Sequence, residues 1–253
     1  MHGGPGGRSD AVCRLSLAAM LLVAAPVFGA TDPGAAQAPR MEFKPLPAGS
    51  YELQRIQAVR DASLLDERGS LVRLAAASRG KVTLLTFFYT YCVDPLGCPF
   101  AHTTLSKLRD RLIKDPRVAN GVRFLSISLD PDHDTPRALR DYGAGFIGDA
   151  HFDWRFLTAR SVPELLPVLN DLGQDVSVEV DDRGRPTRTL HHMLKMFLVD
   201  RDGVVREIYT LAYLQAEVMF NDIETLLLER APQRAGGQRG DARGDQSPAD
   251  PVQ

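Results

Sequence analysis

The chain has 253 residues, a formal charge of -2, 25% charged residues and 44% hydrophobic residues. That length holds one domain of ordinary size with flanking segments, and the apolar and charged fractions are those of a soluble globular chain rather than a disordered or fibrous one. A charge this close to neutral, with no basic tract interleaved with aromatics, gives no footing for nucleic acid as a partner.

Residues 1–30 read as an export signal. Arg8 and Arg14 carry positive charge, and Leu15 to Ala30 form an apolar stretch broken by Ser16, Pro26 and Gly29. Cleavage is expected after Ala30 or after Ala38. An uncleaved membrane anchor is the alternative, opposed by Pro26 and by a run shorter than the ~20 residues a spanning helix needs. The expected location is therefore outside the cytoplasm, in a periplasm, soluble or tethered to the inner membrane. Cys13 precedes the apolar stretch and leaves with the signal. Of the three cysteines only Cys92 and Cys98 then remain, in a compartment oxidising enough for a disulfide between them.

Residues 31–55, rich in Ala, Pro and Gly at their start, are expected to be a flexible tether, and the polar segment 231–253 a disordered tail. The domain lies between, over 56–230. It opens with a hairpin, Leu64 to Leu74, turning at Gly69. An apolar strand follows over 82–89, then a helix from Pro99 to about Lys114 with Leu105, Leu108 and Leu112 at helical spacing. Val122 to Leu129 alternates as a strand. Thr135-Pro136 and Ser161-Val162-Pro163 each start a helix, with a hydroxyl cap and a proline in the first turn. Met193 to Val199 and Val204 to Tyr209 form strands around the turn Asp200-Arg201-Asp202-Gly203, and a last amphipathic helix covers about 214–230. The order implies an α/β fold with a mixed sheet flanked by helices, best fitted by a thioredoxin-like sheet carrying an added N-terminal β-hairpin. In such sheets ligands gather at strand ends.

Cys92 and Cys98 sit at such an end. Pro99 favours the first helical position, which makes Cys98 the expected N-cap, its thiol acidified by the helix dipole. Val93 to Gly97 can curl back so that the sulfurs meet. The simplest alternative is a purely structural disulfide in a binding module, contributing roughly 2 to 2.5 kcal/mol through loop closure. His192 precedes the apolar strand Met193 to Leu198. His191 is its neighbour, and extended backbone turns successive side chains to opposite faces. Two thiolates and one imidazole suit copper, as Cu(I) or Cu(II), and zinc would accept them too. His102, four residues after Cys98, could be a fourth ligand or a packed residue; His133 and His151 read as loop residues. Asp130, Asp132 and Asp134 resemble a cation or acid/base cluster but are expected to be caps and turn residues. Gly143-Ala144-Gly145 lies late in a helix and does not suggest phosphate binding.

Together these pieces resemble the Sco (SenC) family of thioredoxin-like copper-binding proteins that assist assembly of cytochrome c oxidase. The resemblance runs from about Ala62 to Leu228. It rests on Thr86 to Cys92, Cys98-Pro99 leading to Thr103-Thr104-Leu105, Ser128 to Pro136, Trp154, Phe156-Leu157-Thr158, and His192 followed by Met196 to Asp200. It implies Cys92, Cys98 and His192 as copper ligands. It also implies transfer of copper to, or reduction of the cysteines of, the binuclear copper site in oxidase subunit II, or action on another exported copper or thiol protein. The chain departs from the family's Cys-x-x-x-Cys spacing, since residues 93–97 separate its cysteines, and His133 stands where the family usually has arginine. A longer loop costs little entropy. Thiol-disulfide exchange with a protein partner, through Cys92 and Cys98 as a redox pair, is the alternative activity, and peroxide reduction on the same fold a further one.

Overall fold

The computed structural model describes residues 43–147 and 152–229. The expected signal, Cys13, the start of the tether, His151 and the expected tail lie outside the described residues. Among those described, no helix is long and apolar enough to cross a membrane.

A short strand β1 (Gln57–Ala58) is followed by β2 (Ser63–Asp66), β3 (Leu71–Arg73) and the single-turn helix α1 (Leu74–Ala77). β2 and β3 pair antiparallel across a turn whose Gly69 has φ of 81°, a value open to glycine. Next come β4 (Val82–Phe88), α2 (Cys98–Leu112), the short α3 (Pro116–Ala119), β5 (Val122–Ser128), α4 (Pro136–Ile147) and β6 (Trp154–Thr158). The chain continues through α5 (Val162–Asp171), β7 (Val176–Val180), β8 (Pro186–His192), β9 (Lys195–Val199), β10 (Val204–Thr210) and α6 (Ala216–Leu228).

Eight strands form one mixed sheet in the order β1-β10-β9-β4-β5-β6-β2-β3. β4, β5 and β6 run parallel at its centre, and β9 pairs antiparallel to β4. Every residue of β4 and β5 is buried, the continuous apolar signature of strands covered on both faces. Phe88 at the end of β4 packs against His102 of α2, Tyr142 of α4 and Phe156 of β6, while its neighbour Phe87 meets Phe197 of β9 edge-on. α4 approaches β6 so closely that a Cβ at Gly143 would stand 2.8 Å from the Phe156 ring.

Three expectations change. β7 and β8 form a separate two-stranded antiparallel sheet, so His192 ends a strand rather than merely preceding one. Thr135 Oγ1 accepts from the Ala138 N–H at 3.4 Å, as a cap should, but Ser161 flanks α5 without a side-chain bond. Residues 46–54, placed in the tether by sequence, are fastened along the domain. The Tyr51 hydroxyl donates to Asp222, the Gly49 N–H to Thr225 Oγ1 at 2.9 Å, and Asn221 Nδ2 to the Leu46 carbonyl at 2.8 Å. The Arg206 guanidinium donates to the Leu53 carbonyl at 2.6 Å. These bonds replace water for backbone groups that composition alone leaves solvated.

Candidate metal centre

β4 delivers the chain into a loop, Tyr89 to Gly97, that returns to the head of α2. Asp94 shapes the return. Its side chain accepts from the Leu96 N–H at 2.9 Å and its carbonyl from the Gly97 N–H at 3.0 Å, the turn-forming habit of aspartate. Helical bonding starts one residue earlier than expected, with the Ala101 N–H on the Gly97 carbonyl. Gly97 is therefore the N-cap, and Cys98 is the first helical residue. A Cβ at Gly97 would lie 3.2 Å from Cys92 Sγ and 3.3 Å from the Asp94 carbonyl oxygen, so the loop closes tightly only around glycine.

Both cysteines are free thiols, Cys92 half-buried and Cys98 buried. Their acidity is the reverse of the sequence expectation. The Cys98 thiol donates to Cys92, and this bond, aided by the Cys98 and Asp94 backbone N–H groups and the Tyr89 hydroxyl, holds Cys92 well below the usual cysteine range against the effect of burial. Donating that hydrogen bond to Cys92 and being buried push Cys98 up instead. The helix start alone does not decide which sulfur ionises; solvent access and the direction of the shared hydrogen bond do.

A cleft of about 770 Å³ opens over Cys92, lined also by Tyr89, Leu96, His192 and Met193. The His192 ring packs edge-on to Tyr89, centroids 6.2 Å apart, and its Nδ1 lies 3.2 Å from the Met193 carbonyl. A carbonyl only accepts, so Nδ1 carries the proton and Nε2 of the neutral ring keeps its lone pair. Burial lowers the His192 pKa, which favours that neutral form. Cys92 and His192 line this cleft while Cys98 is buried against Cys92, so in donor type the two thiols and the imidazole nitrogen suit a soft cation. Among the described residues, however, no three His, Cys, Asp or Glu side chains stand close enough together to hold one ion.

His102 is a packed residue. It is fully buried among Phe88, Tyr142, Phe146, Trp154 and Phe156, with Nδ1 2.8 Å from the Tyr142 hydroxyl and Nε2 3.3 Å from Ser126 Oγ. Burial drives its pKa down to about 3.

The aspartate block neither caps α4 nor gathers around a cation; it braces the thiol loop. Asp134 accepts from the Thr90 N–H at 3.1 Å, Thr90 Oγ1 at 2.6 Å and Ser128 Oγ at 2.6 Å. Asp130 accepts from the Tyr91 hydroxyl and pairs with His133 Nδ1 at 2.7 Å. Asp132 is exposed. The sequence points to Gly97 as part of the loop that curls back, but assigns no role at the site to Tyr89 or Tyr91. The two tyrosines stand in the sequence as alternate residues flanking Thr90, a pattern that strand core explains equally well.

The family model SCO1/SenC matches residues 52–228. No curated protein sequence matches the chain significantly. Among solved structures, copper-bound ScoI of Bradyrhizobium japonicum is 25% identical, with a TM-score of 0.55, over 67% of this chain and 99% of that one. Copper-bound Sco1 of yeast is 18% identical, with a TM-score of 0.58, over 74% of this chain and 97% of that one. BsSco, a member of the Sco family of cytochrome c oxidase assembly proteins with a disulfide switch, is 22% identical, with a TM-score of 0.55, over 71% and 100%. The mixed sheet with its flanking helices is accordingly the thioredoxin-like fold of these proteins, and the chain belongs to the SCO1/SenC family.

Proposed function

We propose that the protein is an exported copper metallochaperone that carries copper on Cys92, Cys98 and His192 and assists assembly of the binuclear copper site in cytochrome c oxidase subunit II. One observation carries this reading: the free thiols share a hydrogen bond at the head of α2, while His192, its Nε2 unprotonated, lines the cleft that opens over Cys92. Family membership and the copper named with the Bradyrhizobium japonicum relative support it. Copper here is cargo, so the residues must take it up and release it. Cys92 offers an accessible thiolate, Cys98 surrenders its proton on binding, and His192 adds a neutral nitrogen from the separate β7–β8 hairpin. Proton release from Cys98 makes uptake more favourable as pH rises.

Anaerobic titration with Cu(I) against a competing chelator tests the reading. One equivalent is expected to bind, and His192→Ala to weaken binding by about tenfold or more, the worth of about 1.4 kcal/mol. No stoichiometric binding, or affinity indifferent to His192→Ala, overturns it.

A second reading is favoured by the asymmetry of the thiols. An accessible acidic Cys92 with a buried Cys98 behind it suits thiol-disulfide exchange. The Cys92 thiolate would attack a partner's disulfide and release one partner thiolate. Cys98, deprotonated, would then displace the partner's second sulfur, leaving a Cys92–Cys98 disulfide and a reduced partner.

A further inference from the structure

The β7–β8 hairpin that carries His192 lies outside the main sheet, so contacts other than the sheet's own ladder set it against the thiol loop. Three of these come from the thiol loop itself. The Tyr89 hydroxyl lies 3.4 Å from the Leu190 carbonyl of β8, and the Tyr89 ring backs the His192 imidazole. On the far side of Thr90, the Arg188 guanidinium of β8 sits over the Tyr91 ring, 4.2 Å from its centroid. The two tyrosine rings touch edge-on, centroids 4.9 Å apart, so the grips form one unit. That unit is anchored from behind, because Asp130 accepts the Tyr91 hydroxyl and Asp134 holds Thr90.

We propose that Tyr89, Tyr91 and Arg188 form a latch that sets the β7–β8 hairpin against the thiol loop, and so act as positioning residues for His192. The inference rests on His192 being a copper ligand. Arg188 is the informative member because it is exposed and packs on the Tyr91 ring rather than on a thiol or an imidazole. It reaches the site only through Tyr91 and the hairpin backbone. An unlatched hairpin spends part of its time with the imidazole away from the sulfurs, and the apparent affinity falls by the fraction of time lost.

The test is a double-mutant cycle on Cu(I) affinity with Arg188→Ala, His192→Ala and the pair combined, together with amide hydrogen exchange of the metal-free proteins. Arg188→Ala is expected to weaken copper binding roughly three- to fivefold, the scale of one exposed cation–π contact. The same change is expected to have no effect in the His192→Ala background, because a latch acts only through the imidazole it positions. Exchange of the amides in 186–192 should speed up in Arg188→Ala while that of β4 and β5 stays unchanged. Unaltered affinity, equal weakening in both backgrounds, or unaltered exchange in the hairpin overturns the latch. If His192→Ala alone leaves affinity untouched, the ligand assignment fails and the latch's claim on copper with it; the exchange measurement then still judges whether Arg188 holds the hairpin.

Discussion

At the scale of single residues, the thiol pair works through unequal environments. Cys92 keeps solvent access and accepts a hydrogen bond from the Cys98 thiol, while Cys98 is shut into the core at the first helical position. Alkylation of Cys92 is therefore expected to titrate below the ~8.5 of free cysteine, and Cys98→Ala to move that midpoint upward, since the bond from Cys98 is the largest cause of the depression. Rates measured against pH by mass spectrometry check this; a wild-type midpoint near the free value, unmoved by the substitution, contradicts it. The sequence made both cysteines and their likeness to a ligand pair legible, because Pro99 and the apolar strand bracket them. It could not reveal which sulfur ionises. That depends on Gly97 letting the loop close onto Cys92 Sγ, a contact of tertiary origin.

At the scale of elements, α2 and α4 are joined to the sheet through the aromatic cluster around His102. A neutral imidazole is required there, because nothing in the cluster offers a compensating charge. With a folded pKa of about 3 against 6.5 in the unfolded chain, the unfolded chain binds a proton between those values that the folded one refuses. Stability is thus full above pH 6.5 and falls as pH drops towards 3, by about 1.4 kcal/mol per pH unit from this residue alone. Denaturant unfolding at a series of pH values is expected to show that slope in the wild type and its loss in His102→Gln; equal slopes contradict it. The regular elements followed from periodicity where one pattern dominated, as in β4 and α2. β7 and β8 are faint in the sequence, although Val176, Val178 and Val180 alternate with polar residues before a turn at Gly184. Their pattern is that of a half-exposed hairpin, much weaker than the adjacent apolar run of β9.

For the molecule as a whole, the domain begins earlier than composition suggests. Residues 46–54 give up hydrogen bonds to Asn221, Asp222, Thr225 and Arg206 if removed. A chain starting at Gln57 is expected to be less stable than one starting at Phe43 by about 2 to 4 kcal/mol, at about 1 kcal/mol per bond. Equal denaturation midpoints in urea argue against the segment belonging to the domain. Its Pro, Gly and Ala content hid this, because what orders it is a set of side chains on α6 and β10 far along the chain. The same dependence on distant sequence governs the proposed centre, whose candidate donors come from the loop after β4, the head of α2 and the end of β8. X-ray absorption of the anaerobically copper-loaded protein tests that convergence most directly. The account predicts two sulfur neighbours and one imidazole nitrogen on a single copper, the nitrogen lost in His192→Ala. A copper held by sulfur alone, with a spectrum unchanged by that substitution, would contradict it.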